Sequence, residues 1–300
     1  MKVAVSGAGG FIGRALCARL AQRGDTVVAL PRQGQMPLGG AEAIVHLAAL
    51  AHENAQACER KGDYETLRRV NALGAEHMAR EAARAGVRRV LLMSSIGVFG
   101  EETSGAPFDE HCPLAPRSLY AASKLEAEER SQRVAEASGL ELAVLRPTLV
   151  YGPGNPGNFL RLLRLVRRGL PLPLGAVRNR RNLASIENVV GAIEALLEPA
   201  APGGVFVVCD SEAFSTAQLV ERLAEAMGLE ARLIPVPPAM LRIAGRVAGR
   251  SDLARRLLGS LEADNTKLRA QTRWTPAPAD RVLRETARWF LEEGHARASG

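Results

Sequence analysis

Short β-rich runs and longer stretches of helical periodicity alternate through the first half of the chain. The strand-like runs are Lys2–Ser6, Thr26–Leu30, Ala43–His46, Arg89–Met93 and Glu141–Arg146. Helical patterns cover about Ile12–Arg23, Tyr64–Ala85 and Tyr120–Ser138. Strands alternating with helices predict a parallel sheet covered on both faces, because each parallel connection needs a crossover long enough to hold a helix. The segment from Pro31 to Gly40 is too short and too rich in Gly and Pro for one, so this crossover is expected to be a loop. Beyond residue 150 the pattern changes. A Gly/Pro-rich stretch, Tyr151–Gly157, leads into a basic helix over about Asn158–Arg168. Sheet-like runs follow near Leu183–Ile186 and Val205–Cys209, and the remainder reads as helical and Arg-rich. The expected architecture is α/β: a doubly wound parallel sheet from 1–154 plus 182–211, with a smaller, mostly helical C-terminal lobe from 155–181 plus 212–300.

Composition narrows the class. With 47% hydrophobic and 24% charged residues the chain is globular, which excludes disorder and low-complexity repeats. Cys17, Cys58, Cys112 and Cys209 lie far apart with no Cys-x-x-Cys pair, so reduced thiols in a cytoplasmic protein are expected, and no metal site. The chain opens directly on a strand without a basic-then-apolar leader, and no run approaches the roughly 18 apolar residues of a span, so no membrane insertion is expected. Net charge is +7, but aromatics are only 4% and do not interleave with the basic residues. That pattern gives no nucleic-acid signal, and an anionic small substrate accounts for the excess equally well.

Gly7-Ala8-Gly9-Gly10-Phe11-Ile12-Gly13 follows the first strand and opens the first helix. Glycines here allow a tight turn, close backbone approach to a pyrophosphate and close helix–strand packing. The helix N-terminus offers unpaired N–H groups to phosphate oxygens. A strand before and a helix after supply the context of a Rossmann-type dinucleotide site, with Gly7, Gly10, Phe11, Ile12 and Gly13 as cofactor-binding candidates. Cofactor choice falls to the end of the second strand. There Arg32 stands where a carboxylate would bind a ribose 2′-hydroxyl, which favours NADP(H) and keeps NAD(H) as the alternative.

Tyr120-Ala121-Ala122-Ser123-Lys124 places a phenol and an ammonium one helical turn apart. Only three tyrosines and four lysines occur in the chain, the other 35 basic residues being arginine, so a chance pair at this spacing is rare. Hydride transfer at a carbinol carbon needs a proton moved at its oxygen, and a phenol of pKa near 10 needs help to act as a base. A neighbouring ammonium supplies it, and a compact lysine can also donate to a ribose hydroxyl. Ser94-Ser95 ends the fourth strand, at the sheet edge where open α/β sheets bind ligands.

The Gly-x-x-Gly-x-x-Gly spacing resembles the short-chain dehydrogenase/reductase superfamily. Ser94-Ser95-Ile96-Gly97-Val98-Phe99-Gly100 is similar to the Ser-Ser-x-x-Val-Tyr-Gly run of its extended branch, the NAD(P)-dependent nucleotide-sugar epimerase/dehydratase family, with Phe99 in place of a non-catalytic tyrosine. The resemblance continues through His46-Leu47-Ala48-Ala49, Val70-Asn71-Ala72-Leu73-Gly74 and Leu145–Gly154. It implies that Ser95 hydrogen-bonds the reacting oxygen, with Tyr120 and Lys124 completing the catalytic set. It also implies cofactor contacts from Leu47, Ala48, Ala49, Asn71, Ser94, Tyr120, Lys124 and Pro147.

On the substrate side, Arg181-Asn182-Leu183-Ala184-Ser185-Ile186-Glu187-Asn188 is similar to the family segment whose arginine holds the nucleotide diphosphate. Asn158-Phe159-Leu160 resembles the part that contacts phosphate and uracil, so Ser95, Asn158, Phe159 and Arg181 are the implied substrate contacts. A late Arg-x-x-Asp that grips the ribose has no firm counterpart around Arg250. Ile96-Gly97 stands where sugar dehydratases carry Asp-Glu and where 3,5-epimerising reductases carry cysteine, which leaves hydride transfer at one carbon. The resemblance implies a homodimer acting on a UDP-sugar, as a UDP-4-keto-6-deoxy-N-acetylhexosamine 4-reductase in polysaccharide precursor synthesis. A UDP-hexose 4-epimerase, a reductase of small lipophilic ketones or aldehydes, and a non-catalytic NADP(H) sensor stay open. His52 and Glu53 are expected in a loop near the sugar. Arg242, Arg246 and Arg250 form an i, i+4, i+8 stripe that fits a solvated face better than a phosphate or membrane contact.

Overall fold

The computed structural model describes residues 1–32, 34 and 36–296; Gln33, Gln35 and 297–300 lie outside the described residues. The first unit runs β1 (Lys2–Ser6), α1 (Phe11–Gln22), β2 (Thr26–Leu30), β3 (Ala43–His46), α2 (His52–Lys61), α3 (Tyr64–Leu67), α4 (Gly74–Arg84), β4 (Arg89–Met93), α5 (Leu119–Ser138) and β5 (Glu141–Pro147). It continues with β6 (Leu149–Tyr151), α6 (Asn158–Arg167), β7 (Arg181–Ser185), α7 (Ile186–Leu197), β8 (Gly204–Val208), β9 (Ala213–Phe214) and α8 (Thr216–Ala226). The chain ends with α9 (Pro238–Val247), α10 (Ser251–Leu258), α11 (Thr266–Gln271) and α12 (Ala279–Ala296).

Six strands form one parallel sheet in the order β2-β1-β3-β4-β5-β8. The expected doubly wound sheet is therefore present. Strand side chains alternate between its two faces, and both faces are dry. Val3, Val5, Val45, Leu91 and Leu145 pack with Leu16 and Leu20 of α1 and Val189 and Ile193 of α7. Ala4, Ile44, Leu92 and Val144 face the small residues of α4 and α5, among them Ala75, Ala79 and Ala127. Between β2 and β3 the connection carries no helix among its described residues, as expected. It is pinned by Leu38, which is 4% exposed within the α4/α5-side core, and by the Lys2 ammonium at the start of β1, which donates to the Gly39 carbonyl oxygen at 2.6 Å.

The structure departs from the sequence pattern in three places. His52 and Glu53 do not lie in a loop: they open α2, which ends on Gly62 at φ +65°. The predicted helix Tyr64–Ala85 is interrupted by a π-helical segment, Arg68–Leu73, which turns Asn71 inward to 1% exposure. The run near Leu183 begins at Arg181 and joins a separate three-stranded sheet, β6-β7-β9, while α7 and β8 return to the main sheet. Against that small sheet lies a further core of Tyr151, Phe159, Leu163, Leu183, Leu223 and Leu283.

Candidate active site

The glycine loop is packed too tightly for a side chain at Gly7 and Gly13. Gly7 has φ +72°, and a Cβ built on it would lie 2.8 Å from the Ala48 nitrogen. A Cβ on Gly13 would collide with the Gly7 carbonyl oxygen, to which the Gly10 N–H donates at 2.9 Å. Gly10 caps α1 in an extended conformation without any side-chain cap, so the first-turn N–H groups of Phe11, Ile12 and Gly13 are left for an outside acceptor. Leu47, Ala48 and Ala49 run past this turn, half-buried, with the Leu47 N–H bonded to the Ser6 carbonyl oxygen and the Ala48 N–H to Ser6 Oγ.

Helix α5 carries the acid–base pair. Its N-terminus is fixed twice: Ser118 Oγ accepts from the Ala121 N–H at 3.1 Å, and Glu59 of α2 accepts from the Tyr120 N–H at 2.8 Å. Tyr120 is half-buried, and burial pushes its phenol up to about 12. Lys124 is 3% exposed; burial draws its ammonium down to about 8, with the Glu128 carboxylate acting the other way. Tyr120 Oη and Lys124 Nζ make no hydrogen bond to a described residue. Asn71, turned inward by the π segment, donates to Ser123 Oγ at 2.9 Å and accepts from the Leu50 N–H at 2.7 Å. It therefore braces the helix between its tyrosine and its lysine.

Ser95 caps the short turn Ile96–Val98, its Oγ accepting from the Gly97 N–H at 3.2 Å. That leaves its hydroxyl hydrogen to donate elsewhere. A Cβ on Gly97 would come 3.5 Å from the Ala121 Cβ, so the serine turn lies against the first turn of α5. Ser94, by contrast, points into the interior and donates to Glu128. Arg146 holds the same carboxylate with two bonds, at 2.6 and 3.1 Å, and lies over the Phe99 ring. Neither Glu128 nor Arg146 has a role readable from local sequence, because they meet only through the packing of α5 on β5.

Two buried polar atoms have no partner among the described residues: His46 Nε2 and Thr148 Oγ1. His46 ends β3, bonded through Nδ1 to Ser6 Oγ at 2.7 Å, while burial and the Lys124 charge hold it down to about 3 and therefore neutral. Thr148 directly follows Pro147, whose pairing with Val208 closes the β5–β8 ladder. Both orphans sit at the carboxyl edge of the sheet, on either side of the β4 end that carries Ser94 and Ser95. Buried polar groups without partners are uncommon, and these two single out this edge of the sheet as the place where a polar ligand could satisfy them. The uncapped helix start, the close-packed glycine turn and this edge fit a dinucleotide. When bound, such a cofactor would supply hydride transfer.

The remaining sequence-derived residues are more dispersed. Arg32 is exposed just beyond β2. Half-buried Arg181, in β7, donates to the Gly259 carbonyl oxygen at 2.8 Å; burial lowers its pKa, with Glu102 opposing and Arg256 adding to the effect. Asn158 is exposed at the start of α6. The Phe159 ring packs 5.1 Å from that of Tyr151 in the lobe core, at 2% exposure, so its side chain serves as a packing residue. Glu53 pairs with Arg161 at 3.1 Å on the surface. Helix α2 contributes to the site through Glu59 instead.

A sequence model described as the NAD dependent epimerase/dehydratase family matches residues 36–209. The chain is 37% identical over 263 residues to the UDP-glucose 4-epimerase of Vibrio cholerae, covering 86% of this chain and 79% of that protein. It is 30% identical over 254 residues to the 2-alkyl-3-oxoalkanoate reductase of Stenotrophomonas maltophilia, covering 76% of each. In fold it is similar to the RMD protein of Pseudomonas aeruginosa, solved with NADPH: TM-score 0.78, 22% identity, 97% of this chain and 99% of that one. A family match over more than half the chain, on a Rossmann-type sheet with this glycine turn, shows that the chain belongs to the NAD dependent epimerase/dehydratase family, in the extended branch of the short-chain dehydrogenases/reductases.

Proposed function

We propose that this protein acts at C4 of a nucleotide sugar, and that its reaction is net reduction of a UDP-4-keto-6-deoxy-N-acetylhexosamine by exchangeable NADPH. The observation that carries this reading is the end of β2. The strand stops at Leu30 and runs through Pro31 into an exposed Arg32, with no carboxylate for a ribose 2′-hydroxyl. A guanidinium suits a 2′-phosphate. β2 is also the edge strand of its sheet, and the connection after it is a loop, which encloses the adenosine end less than a crossover helix would. An epimerase must keep its cofactor, since the keto intermediate has to recover the same hydride. A reductase must exchange it.

In this reading the cofactor supplies the hydride and the chain manages the proton. Tyr120, neutral at physiological pH, donates its proton to the C4 oxygen as charge develops there. Ser95 donates a hydrogen bond to the same oxygen and aligns it. Lys124, still mostly charged near pH 7, stabilises the phenolate that Tyr120 leaves behind. A sensor would need no such proton donor. The second reading, a UDP-hexose 4-epimerase, is favoured by the Vibrio cholerae relative.

Cofactor retention separates the two. Purified without added nucleotide, the protein should carry an empty cofactor site; near-stoichiometric bound NAD would favour the epimerase. Arg32→Glu should weaken NADPH binding much more than NADH binding, because a carboxylate repels the 2′-phosphate. Equal changes, measured by titration with both cofactors, would remove Arg32 from the site. Arg181→Ala should weaken UDP-sugar binding by roughly 2–5 kcal/mol, as loss of a desolvated charge partner does. Unchanged UDP affinity in calorimetry would turn the proposal toward small lipophilic ketones.

A further inference from the structure

Helix α9 does not bury any of its residues. Met240, Ile243 and Val247 follow each other at i, i+3 and i+7 and are 59%, 61% and 85% exposed; Leu253 of α10 adds 48%. Such spacing places the α9 residues in one stripe along the helix. The opposite side of α9 faces α10 so closely that a Cβ on Gly245 would lie 2.7 Å from the Ala254 Cβ. The two helices are joined by a tight turn, with Gly249 at φ +65° and the Arg250 N–H bonded to the Gly245 carbonyl oxygen at 2.7 Å. The apolar stripe is therefore not the packing face of this hairpin. It points to solvent.

Arg242, Arg246 and Arg250 run beside that stripe, all exposed, and none of them forms an ion pair with a described residue. α9 contains no acidic residue, and Asp252 of α10 lies 3.5 Å from Arg255. We propose that the α9–α10 hairpin is a docking surface for an anionic lipid bilayer, which takes the four apolar side chains into its headgroup boundary while the three arginines meet its phosphates. A basic amphipathic helix with large apolar residues on one face has the chemistry of an interfacial helix. No helix among the described residues is long and apolar enough to cross a membrane, so the contact is peripheral.

A second copy of the chain fits this surface less well. Stable protein interfaces use about 20–30 residues a side, far more than four apolar side chains. A two-fold contact would also set the arginine rows against each other. The hairpin is rooted in the lobe through its C-terminal end: the Leu257 carbonyl oxygen accepts from Thr216 Oγ1 at 2.6 Å, Arg255 pairs with Glu101 at 2.8 Å, and the Gly259 carbonyl oxygen just beyond α10 accepts from Arg181 at 2.8 Å.

The test is co-sedimentation of the full chain with vesicles of phosphatidylglycerol and phosphatidylcholine in varied ratio, alongside light scattering of the protein alone. Binding should rise with phosphatidylglycerol content and fall between low and high salt. Arg242→Gln, Arg246→Gln and Arg250→Gln together should lower partitioning by roughly fivefold each, on the order of a hundredfold in all. Ile243→Glu with Val247→Glu should abolish binding while the circular dichroism spectrum and NADPH affinity stay unchanged. Absence of binding to phosphatidylglycerol vesicles, equal binding to pure phosphatidylcholine, or full binding by the Glu pair would overturn the proposal. So would conversion of a dimer to a monomer by the same Glu pair, which would give the stripe to a second copy.

Discussion

Tyr120→Phe lowers turnover by about 10²–10⁴ and leaves cofactor affinity intact, the range for loss of one general acid–base group. The site explains why no neighbour takes over. His46 is held neutral with a pKa near 3, and Lys124 lies buried one turn further along α5. Phenylalanine keeps the ring in its packing against the cluster of Ala55, Cys58 and Leu67, so the fold should not change. The pH profile follows from Lys124. Its ammonium is present below about 8 and lost above it, so the reduction rate should decline as pH rises through that value. Lys124→Arg, charged at every accessible pH, should flatten that limb at a lower plateau. Single-turnover absorbance measurements check both; near wild-type turnover in Tyr120→Phe would end the mechanism.

Arg146→Leu destabilises the fold by about 3–5 kcal/mol, the effect of removing one partner from a buried ion pair. Glu128 is 6% exposed and Arg146 4%, so the carboxylate left behind would keep only the Ser94 hydroxyl as a hydrogen-bond partner, with the Lys124 ammonium as the one nearby charge. Adding Glu128→Leu should restore much of the loss, because the stranded charge goes with it. Urea denaturation of the single and double variants measures this. A loss under about 1 kcal/mol for Arg146→Leu would mean that water reaches the pair.

Much of this molecule is legible from sequence, for identifiable reasons. β1, β3 and β4 are buried on both faces, so they read as near-continuous apolar runs with sharp ends. Tyr120 and Lys124 are legible because i, i+4 spacing on one helix is a local fact. Helix α2 escapes because its sequence, His52 to Lys61, is mostly polar and its buried residues are the small Ala55 and Cys58. The π segment escapes because apolar spacing hardly separates it from an α-helix, although it is what carries Asn71 inward. Phe159 shows the limit of a transferred motif: the segment matches, yet its ring belongs to the Tyr151 core. Glu128, Arg146 and Thr148 acquire meaning only when strands and helices distant in sequence are brought together.

Mixing the purified protein with NADPH and a UDP-4-keto-6-deoxy-N-acetylhexosamine, and following nicotinamide absorbance together with the sugar product, separates net reduction from epimerisation. The account predicts one NADPH oxidised per keto group reduced, at an otherwise empty cofactor site, and no such loss with Tyr120→Phe. Interconversion of UDP-hexoses with no net consumption of NADPH, by protein that already carries bound NAD, would contradict it.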